Sequence, residues 1–400
     1  MAKTIRKISF LNREDALQEL IHLGADPIGC QLMAPKGVHR VLKIYDLDIR
    51  QANIIKQEML SKGGEAAVEK GVADCTGNGT HVIMMATLKQ YELVCRKLKM
   101  QAFGLKDLGQ PILEALHHLE GRPARLLQCG SYQLPLGERT LVMGILNATP
   151  DSFSDGGCYL DPGFALEQAH KMAAAGADII DLGAESTRPG HTPVAASVEK
   201  ERLLPVLKRL VQEIKLPVSV DTFKGKVAEA ALAEGASLLN DQWALGYDDQ
   251  MAKVAAKAQV PIVLMHNQQG NQYRELMGDL IAYFQACCQK AEAAGIKPEN
   301  LILDPGIGFG KDWKQNLEVL QRLEELEVLG LPILLGTSRK GFIGQVLDLP
   351  VNERLEGTLA TVVAGIGKGA DIVRVHDVQA AVRAARMADA LYRKKPGKDS

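Results

Sequence analysis

From Leu141 onward the chain alternates short apolar runs with longer stretches whose apolar positions recur every three or four residues. The runs read as parallel strands buried on both faces, the stretches as helices packed on one side. The alternation repeats eight times and predicts strands near 141–147, 178–182, 217–221, 237–240, 260–265, 300–304, 331–335 and 371–375. Segments such as DPGFALEQAHKMAAAG and SVEKERLLPVLKRLVQEI supply the helices, and Gly176, Gly235, Gly295 and Gly369 stand where helices should end. Eight such units in about 260 residues fit an α/β fold of the (β/α)8 TIM-barrel type; a doubly wound open sheet, which shares the local pattern, is the runner-up.

The first 121 residues follow another rhythm. KISFL, HRVLKIYDL and THVIMMAT read as strands, and REDALQELIHLG, IRQANIIKQEMLSKGG and LKQYELVCRKLKM as helices, which predicts a smaller N-terminal α+β domain. After LGQPILEALHHLEG the helical period is interrupted by Pro123, Gly130, Pro135 and Gly137. Apolar runs at 126–129 and 132–134 predict a hairpin that closes the barrel floor. The expected division is an accessory domain of unassigned role at 1–121 and a barrel with its leading hairpin at 122–400. His39, Lys56, Asp74, Cys75 and His81 bear chemistry in the first part, but nothing fixes their relative positions, and they read as surface and capping residues.

Charge and composition narrow the function. A formal net charge of -1 and a pI near 6.8 argue against a nucleic-acid binder, so no nucleic-acid partner is expected and the substrate should be small. With 46% apolar but only 4% aromatic residues, the core must come from Leu, Ile, Val and Ala. The 7 cysteines are scattered with no CxxC spacing, which suggests reduced thiols. The basic N-terminus leads into charged NREDALQEL, and no apolar run approaches about 20 residues, so a cytoplasmic protein without membrane association is expected.

Chemistry gathers where the predicted strands stop. Asp221 ends LPVSVD and Asp304 ends LILDP; one such Asp commonly caps the next helix, but two, with Asn240 between and Lys340 beyond, could grip a flat heterocycle offering an N–H beside an amino group. A cationic side is expected from Arg374 and His376 in RVHDV, Arg188 in ESTRPG and Lys340 in TSRKG, groups suited to an anion. The alternation of IVRVH places Ile372, Arg374 and His376 on one strand face. Arg339 reads as an ordinary loop charge. Asn147 closes the first barrel strand and begins NATPDSFSDGG, a loop rich in turn formers; as a neutral oxygen donor it suits Mg2+, which takes few protein ligands beside phosphate oxygens. The glycines of GIGFG would let backbone approach a flat ligand, with Phe309 against its ring.

NATPDSFSDGG, ESTRPG, SVDT, LND, LMH, DPGIGFGK, TSRKGFIG and RVHDV, in this order over about residues 125–395, resemble the dihydropteroate synthases of the pterin-binding barrel family. The resemblance implies a transferase joining 4-aminobenzoate to 6-hydroxymethyl-7,8-dihydropterin diphosphate, with pyrophosphate released. It implies that Asp221, Asn240, Asp304 and Lys340 bind the pterin and that Met265 lines its slot. Arg374 would stack on the ring and reach the diphosphate, which His376 and Asn147 would hold, Asn147 also through Mg2+. Phe153, Thr187, Pro189, Phe309 and Ser338 would form the aminobenzoate pocket, and Asp155 and Arg188 would belong to two loops that complete it. A homodimer through barrel helices is implied as well. Small departures are Ala184 where Gly is usual, NDQWAL in place of a more Gly-rich turn, and Gln268 and Gln269 after MHN.

The reaction so implied separates charge, with positive charge growing on the pterin methylene and negative charge on the leaving group. The expected device is therefore acids on one flank and bases on the other, with no Ser or Cys nucleophile and no strong general base. Two rivals share parts of the pattern: a methyltetrahydrofolate:corrinoid methyltransferase, which needs no diphosphate site, and a non-catalytic pterin-binding scaffold.

Overall fold

The computed structural model describes residues 3–74, 76, 79–121, 124–148, 161–185 and 194–393. The chain splits into two compact units, one comprising Met1–Arg122 with Glu327–Gly330 and the other Pro123–Leu326 with Leu331–Ser400.

In the first unit β1 (His39–Leu47), β2 (Glu65–Val68) and β3 (Thr80–Thr87) form an antiparallel sheet in the order β1-β3-β2. Helices Arg13–His22, Pro27–Gly37, Ile49–Ser61, Leu88–Leu98 and Gly109–His118 belong to the same unit, whose core includes Ile55, Met59, Met84, Tyr91 and Leu98. Two expectations fail here. Residues 7–11, read as a strand, carry no regular structure; Phe10 packs on the core without joining the sheet. The third strand is instead EAAV at Glu65–Val68, whose alanines carry little β signal. Helix Pro27–Gly37 escaped the periodicity because it contains Pro35 and two glycines, although its Asp26 cap and Pro27 mark a helix start. His39 opens β1 opposite Thr87, whereas His81 lies near the far end of the same ladder, where its Nδ1 accepts from the Asp46 N–H at 3.2 Å. At about 3.4 Å per residue the two histidines share no site.

The second unit opens with an antiparallel hairpin, β4 (Arg125–Cys129) and β5 (Tyr132–Leu136). Eight parallel strands follow: β6 (Leu141–Asn147), β7 (Ile179–Gly183), β8 (Val218–Asp221), β9 (Leu238–Asp241), β10 (Ile262–Met265), β11 (Leu301–Asp304), β12 (Leu334–Leu335) and β13 (Ile372–Val375). They pair in the order β11-β10-β9-β8-β7-β6-β13-β12, and the parallel bridge between Leu303 and Ile333 joins the two ends of that order. The open-sheet alternative is thereby excluded, and the fold is a (β/α)8 barrel. Gly176, Gly235, Gly295 and Gly369 follow helices with φ of 96, 100, 92 and 90°, the left-handed geometry that ends them.

Strand period divides the barrel into layers. Val142, Leu146, Ile180, Leu182, Val218, Val220, Val373 and Val375 face outward into the cluster shared with the surrounding helices. The alternate residues Leu141, Met143, Ile179, Leu238, Val263, Ile302, Leu334 and Ile372 fill the lower interior, where Leu127, Cys129, Leu134 and Leu136 of the hairpin join them. The hairpin thus plugs the floor with apolar side chains, each worth about 1.5–3 kcal/mol when fully buried. Two residues further along β7, β9, β11 and β13 the interior turns polar, and the site begins.

Candidate active site

The same two-residue step carries Ile179 to Asp181, Leu238 to Asn240, Ile302 to Asp304 and Ile372 to Arg374, all toward the carboxyl ends of parallel strands. Arg374 joins them. Its Nε donates to Asp181 Oδ2 at 2.6 Å and its Nη2 to Asp221 Oδ2 at 2.8 Å. Asn240 Nδ2 donates to the same Asp181 oxygen at 3.1 Å, and Gln242 Nε2 lies 2.8 Å from both oxygens of Asp221. Asp181 is 0% exposed and the Arg374 side chain 17%, so these are buried ion pairs whose partners cannot be removed singly without a large cost.

Burial governs the titration of this cluster. Asp221 is pushed up to about 7, first by desolvation and further by the negative Asp181, with Arg374 opposing. Asp304 is also raised by burial, against the Gly306 N–H that it accepts at 2.8 Å and the charges of Lys340 and Arg374. Arg374 is held protonated more firmly than usual; burial works against it, but Asp181 and Asp221 prevail. The expected separation of acids and bases onto two flanks is corrected by these contacts: the interior places Arg374 directly on Asp181 and Asp221, because facing β-strands bring their inward positions into one dry layer.

His376 also differs from its expected place among the cations. Burial lowers it to about 4, and Arg374 and Arg339 add to the shift, so the ring is neutral at pH 7. Ser338 Oγ accepts the His376 backbone N–H at 3.1 Å and lies 2.9 Å from Nδ1. The hydroxyl can meet Nδ1 as donor or as acceptor, so the contact holds the ring in place in either tautomer. Arg339 is held in a two-point ion pair with Asp377, at 3.0 and 2.6 Å.

After β11 the chain makes the turn PGIGFG. Gly306 has φ 66° and a Cβ there would sit 1.9 Å from the His266 carbonyl oxygen, so only glycine fits. Lys311 pins the turn through Gly306 O at 3.3 Å, Phe309 O at 3.2 Å and His266 Nδ1 at 2.9 Å. Burial lowers Lys311 to about 7 and His266 to about 3. Phe309, held by this turn, receives Lys340 Nζ at 4.2 Å from its ring centroid, a cation–π contact. Met265 ends β10 beside Asp304 in register, and Asn147 ends β6 opposite Gly183, whose other neighbour in register is Asp221.

The structure therefore gathers Asp221, Asn240 and Arg374 through hydrogen bonds, Ser338 with His376, and Phe309 with Lys340. Phe153, Asp155, Thr187, Arg188 and Pro189 lie outside the described residues. Three residues of the cluster were not singled out from sequence: Asp181, Gln242 and Lys311. A charge inside the apolar run IIDLG was a signal for Asp181, and the Lys in DPGIGFGK for the third; nothing in the turn NDQWAL announced Gln242.

Beside the cluster, Lys224 Nζ pairs with Glu185 and, at 2.7 Å, with Glu199, while the other Glu185 oxygen accepts the Val194 N–H at 2.8 Å. Among the described residues no group of three or more His, Cys, Asp or Glu is arranged to hold a metal ion. Asn147 does provide one hard oxygen donor at the rim, the kind of donor Mg2+ accepts when phosphate supplies the remainder.

At the inner ends of β7, β8 and β9, Asp181 Oδ1, the Ser219 hydroxyl and Gln242 Oε1 are buried without a hydrogen-bond partner among the described residues. Acceptors in excess of donors suit a ligand rich in N–H groups. Known proteins resemble this chain over the barrel. The family model for "Pterin binding enzyme" matches residues 143–376, more than half of the chain. A dihydropteroate synthase of Clostridium beijerinckii is 52% identical over 269 residues, which is 67% of this chain and 100% of that protein. A probable bifunctional folylpolyglutamate synthase/dihydropteroate synthase of Halobacterium salinarum is 41% identical over 385 residues, 94% of this chain and 46% of its own length, so its likeness extends into the N-terminal unit. The crystal structure of a dihydropteroate synthase from Clostridium difficile in the presence of pteroic acid shares 53% identity with a TM-score of 0.64, covering 65% of this chain and 99% of that one. The chain belongs to the pterin-binding enzyme family.

Proposed function

We infer that this chain catalyses the dihydropteroate synthase reaction, condensing 6-hydroxymethyl-7,8-dihydropterin diphosphate with 4-aminobenzoate to give 7,8-dihydropteroate and pyrophosphate. The observation that carries the reading is the buried layer of Asp181, Asp221, Asn240 and Arg374 at the strand ends, rich in unsatisfied acceptors, in a barrel closely related to dihydropteroate synthases.

Asp221, Asn240 and Asp304 accept and donate along the pterin edge, with Met265 lining the slot. An N–H donated to Asp221 favours its ionised form, so ligand entry draws its carboxyl back below about 7. As the C–O bond breaks, its electron pair leaves on the diphosphate, the lone pair of the aromatic amine forms the new C–N bond, and the surplus proton on that nitrogen passes to the departing pyrophosphate. Positive charge that develops on the pterin methylene is stabilised by the fixed carboxylates, which are already oriented by Arg374 and Gln242 and need no reorganisation. Neutral His376, in its Nε2–H tautomer, donates to the leaving group, and Arg374 and Lys340 supply positive charge. Asn147 would hold Mg2+, which when bound neutralises diphosphate oxygens. Phe309 and Ser338 contribute to the aminobenzoate pocket, to which the family resemblance assigns Phe153, Asp155, Thr187, Arg188 and Pro189 as well.

Purified protein given both substrates should form dihydropteroate and pyrophosphate in equal amounts by mass spectrometry and phosphate assay, and neither when one substrate is omitted. Methyl transfer from methyltetrahydrofolate to a corrinoid, without pyrophosphate, would overturn the reading. The family resemblance also supports a homodimer. Exposed Met387 and Leu391 on helix Val378–Tyr392 offer it an apolar face, and light scattering at twice 43.3 kDa tests it. The thiols of Cys30, Cys95, Cys129, Cys287 and Cys288 are free, which supports a cytoplasmic setting, and no helix among the described residues is long and apolar enough to cross a membrane.

A further inference from the structure

The turn after β9, NDQWAL, is one of the departures from the family pattern, and it gives Gln242 a place beside Asp221. It is built to aim one side chain. Buried Asp241 accepts the backbone N–H groups of Trp243 at 2.9 Å and Leu245 at 2.7 Å, and Ala244 and Leu245 take φ of 47 and 66°. Two successive non-glycine residues in the left-handed region persist only where their surroundings hold them. The result is that Gln242, 4% exposed, reaches across to β8 and sets its Nε2 2.8 Å from each oxygen of Asp221. Its own Oε1 is buried with no partner among the described residues.

We propose that Gln242 is a positioning residue for the pterin: its amide fixes the Asp221 carboxylate at both oxygens, and its carbonyl accepts an N–H of the same ring. The inference rests on the reading of Asp221 as a pterin ligand. The charged groups that face Asp221 are Arg374 from β13, Asp181 from β7 and Glu199 from helix Ala196–Glu213, the last paired with Lys224. Gln242 adds a hydrogen bond without adding charge, so its replacement changes the orientation and protonation of Asp221 while leaving the net charge of the cluster untouched. An unsatisfied buried acceptor is costly in the empty site and is relieved when a ligand donor enters, which makes the contact selective for a ring that presents N–H there.

Calorimetric titration of 6-hydroxymethyl-7,8-dihydropterin diphosphate into the full chain, from pH 6 to pH 9, tests this. Gln242→Met keeps length and approximate volume but has neither donor nor acceptor. It should bind about 5- to 50-fold more weakly at pH 8. The acid-side fall in affinity should also move to higher pH, since Asp221 loses a donor to its ionised form, while KM for 4-aminobenzoate stays within about twofold. Gln242→Glu keeps an acceptor but sets a second acid against Asp221, so its affinity should be lowest at pH 8 and recover toward pH 6, where the two acids share a proton, reversing the wild-type trend. Wild-type affinity and pH profile in Gln242→Met, or equal losses in both variants at every pH, would overturn the proposal. Asp221→Asn separates the two levels. If it binds as wild type does, the pterin reading of Asp221 fails and takes this inference with it; if it weakens binding while Gln242→Met does not, only the role of Gln242 falls.

Discussion

Replacing Asp181 by Asn removes one charge from the centre of the buried cluster and keeps its shape. In the wild type Asp181 takes the Nε of Arg374 at 2.6 Å while its own charge helps hold Asp221 up to about 7. A carboxyl raised from its ordinary 3.8 to about 7 binds its proton more tightly in the folded than in the unfolded state. Its contribution is therefore favourable on the acid side and is lost as pH rises toward 7, about 4 kcal/mol across that window. Without Asp181, Asp221 no longer faces a like charge and has Arg374 to itself, and both changes lower its pKa. Each unit by which it falls removes about 1.4 kcal/mol of that pH dependence. The Asp181→Asn protein should therefore lose stability mainly at pH 5, by about 3 kcal/mol as a charge-assisted bond is weakened and the protonation gain shrinks, and markedly less at pH 8. Urea unfolding at the two pH values measures this, and a carboxyl NMR titration of Asp221 reads the pKa directly. Equal losses at pH 5 and pH 8, with Asp221 titrating where it does in the wild type, would refute the coupling.

Other substitutions separate binding, turnover and scaffold. Asp304→Ala should weaken pterin diphosphate by about 2–5 kcal/mol in calorimetry, because a buried charge-assisted contact loses one side; unchanged affinity removes Asp304 from the site. Arg374→Ala leaves Asp181 and Asp221 facing each other without a cation, and steady-state kinetics should show both kcat and the KM for pterin diphosphate impaired, normal kinetics contradicting its role. Lys224→Met strands buried Glu185 and Glu199, and since burial already raises Glu199 in the wild type, the loss should reach about 3–5 kcal/mol at pH 8 and shrink toward pH 5 as the carboxyls protonate. Urea midpoints that shift equally at both pH values would contradict it. This dependence runs opposite to that of Asp181→Asn, so the pair of variants checks the sign of each argument against the other.

The barrel was legible because its strands are buried on both sides and its helices on one, which leaves two distinct periods in the sequence. The alternation of IVRVH fixed the inward face of Ile372, Arg374 and His376, and Arg374 does reach inward to Asp181 and Asp221. What sequence could not carry was distance across the barrel. Asp181 lies mid-strand, two residues from the rim, and gains meaning only because β13 brings Arg374 to it from 193 residues away. His376 looked cationic because its neighbours are; the structure makes it neutral because those same neighbours and burial disfavour a further charge. In the first unit, Glu65–Val68 was invisible for the opposite reason: its alanines carry little β signal, although the segment pairs with β3 and Ala66 is buried in the core.

The central claim is that the polar layer at the carboxyl ends of the barrel strands is where the pterin sits. A crystal of this protein soaked with 6-hydroxymethyl-7,8-dihydropterin diphosphate tests it most directly. The account predicts the ring edge within hydrogen-bonding distance of Asp221, Asn240 and Asp304, with the diphosphate toward Arg374 and His376. A pterin bound elsewhere, or one in the barrel mouth that leaves those three side chains untouched, would contradict it.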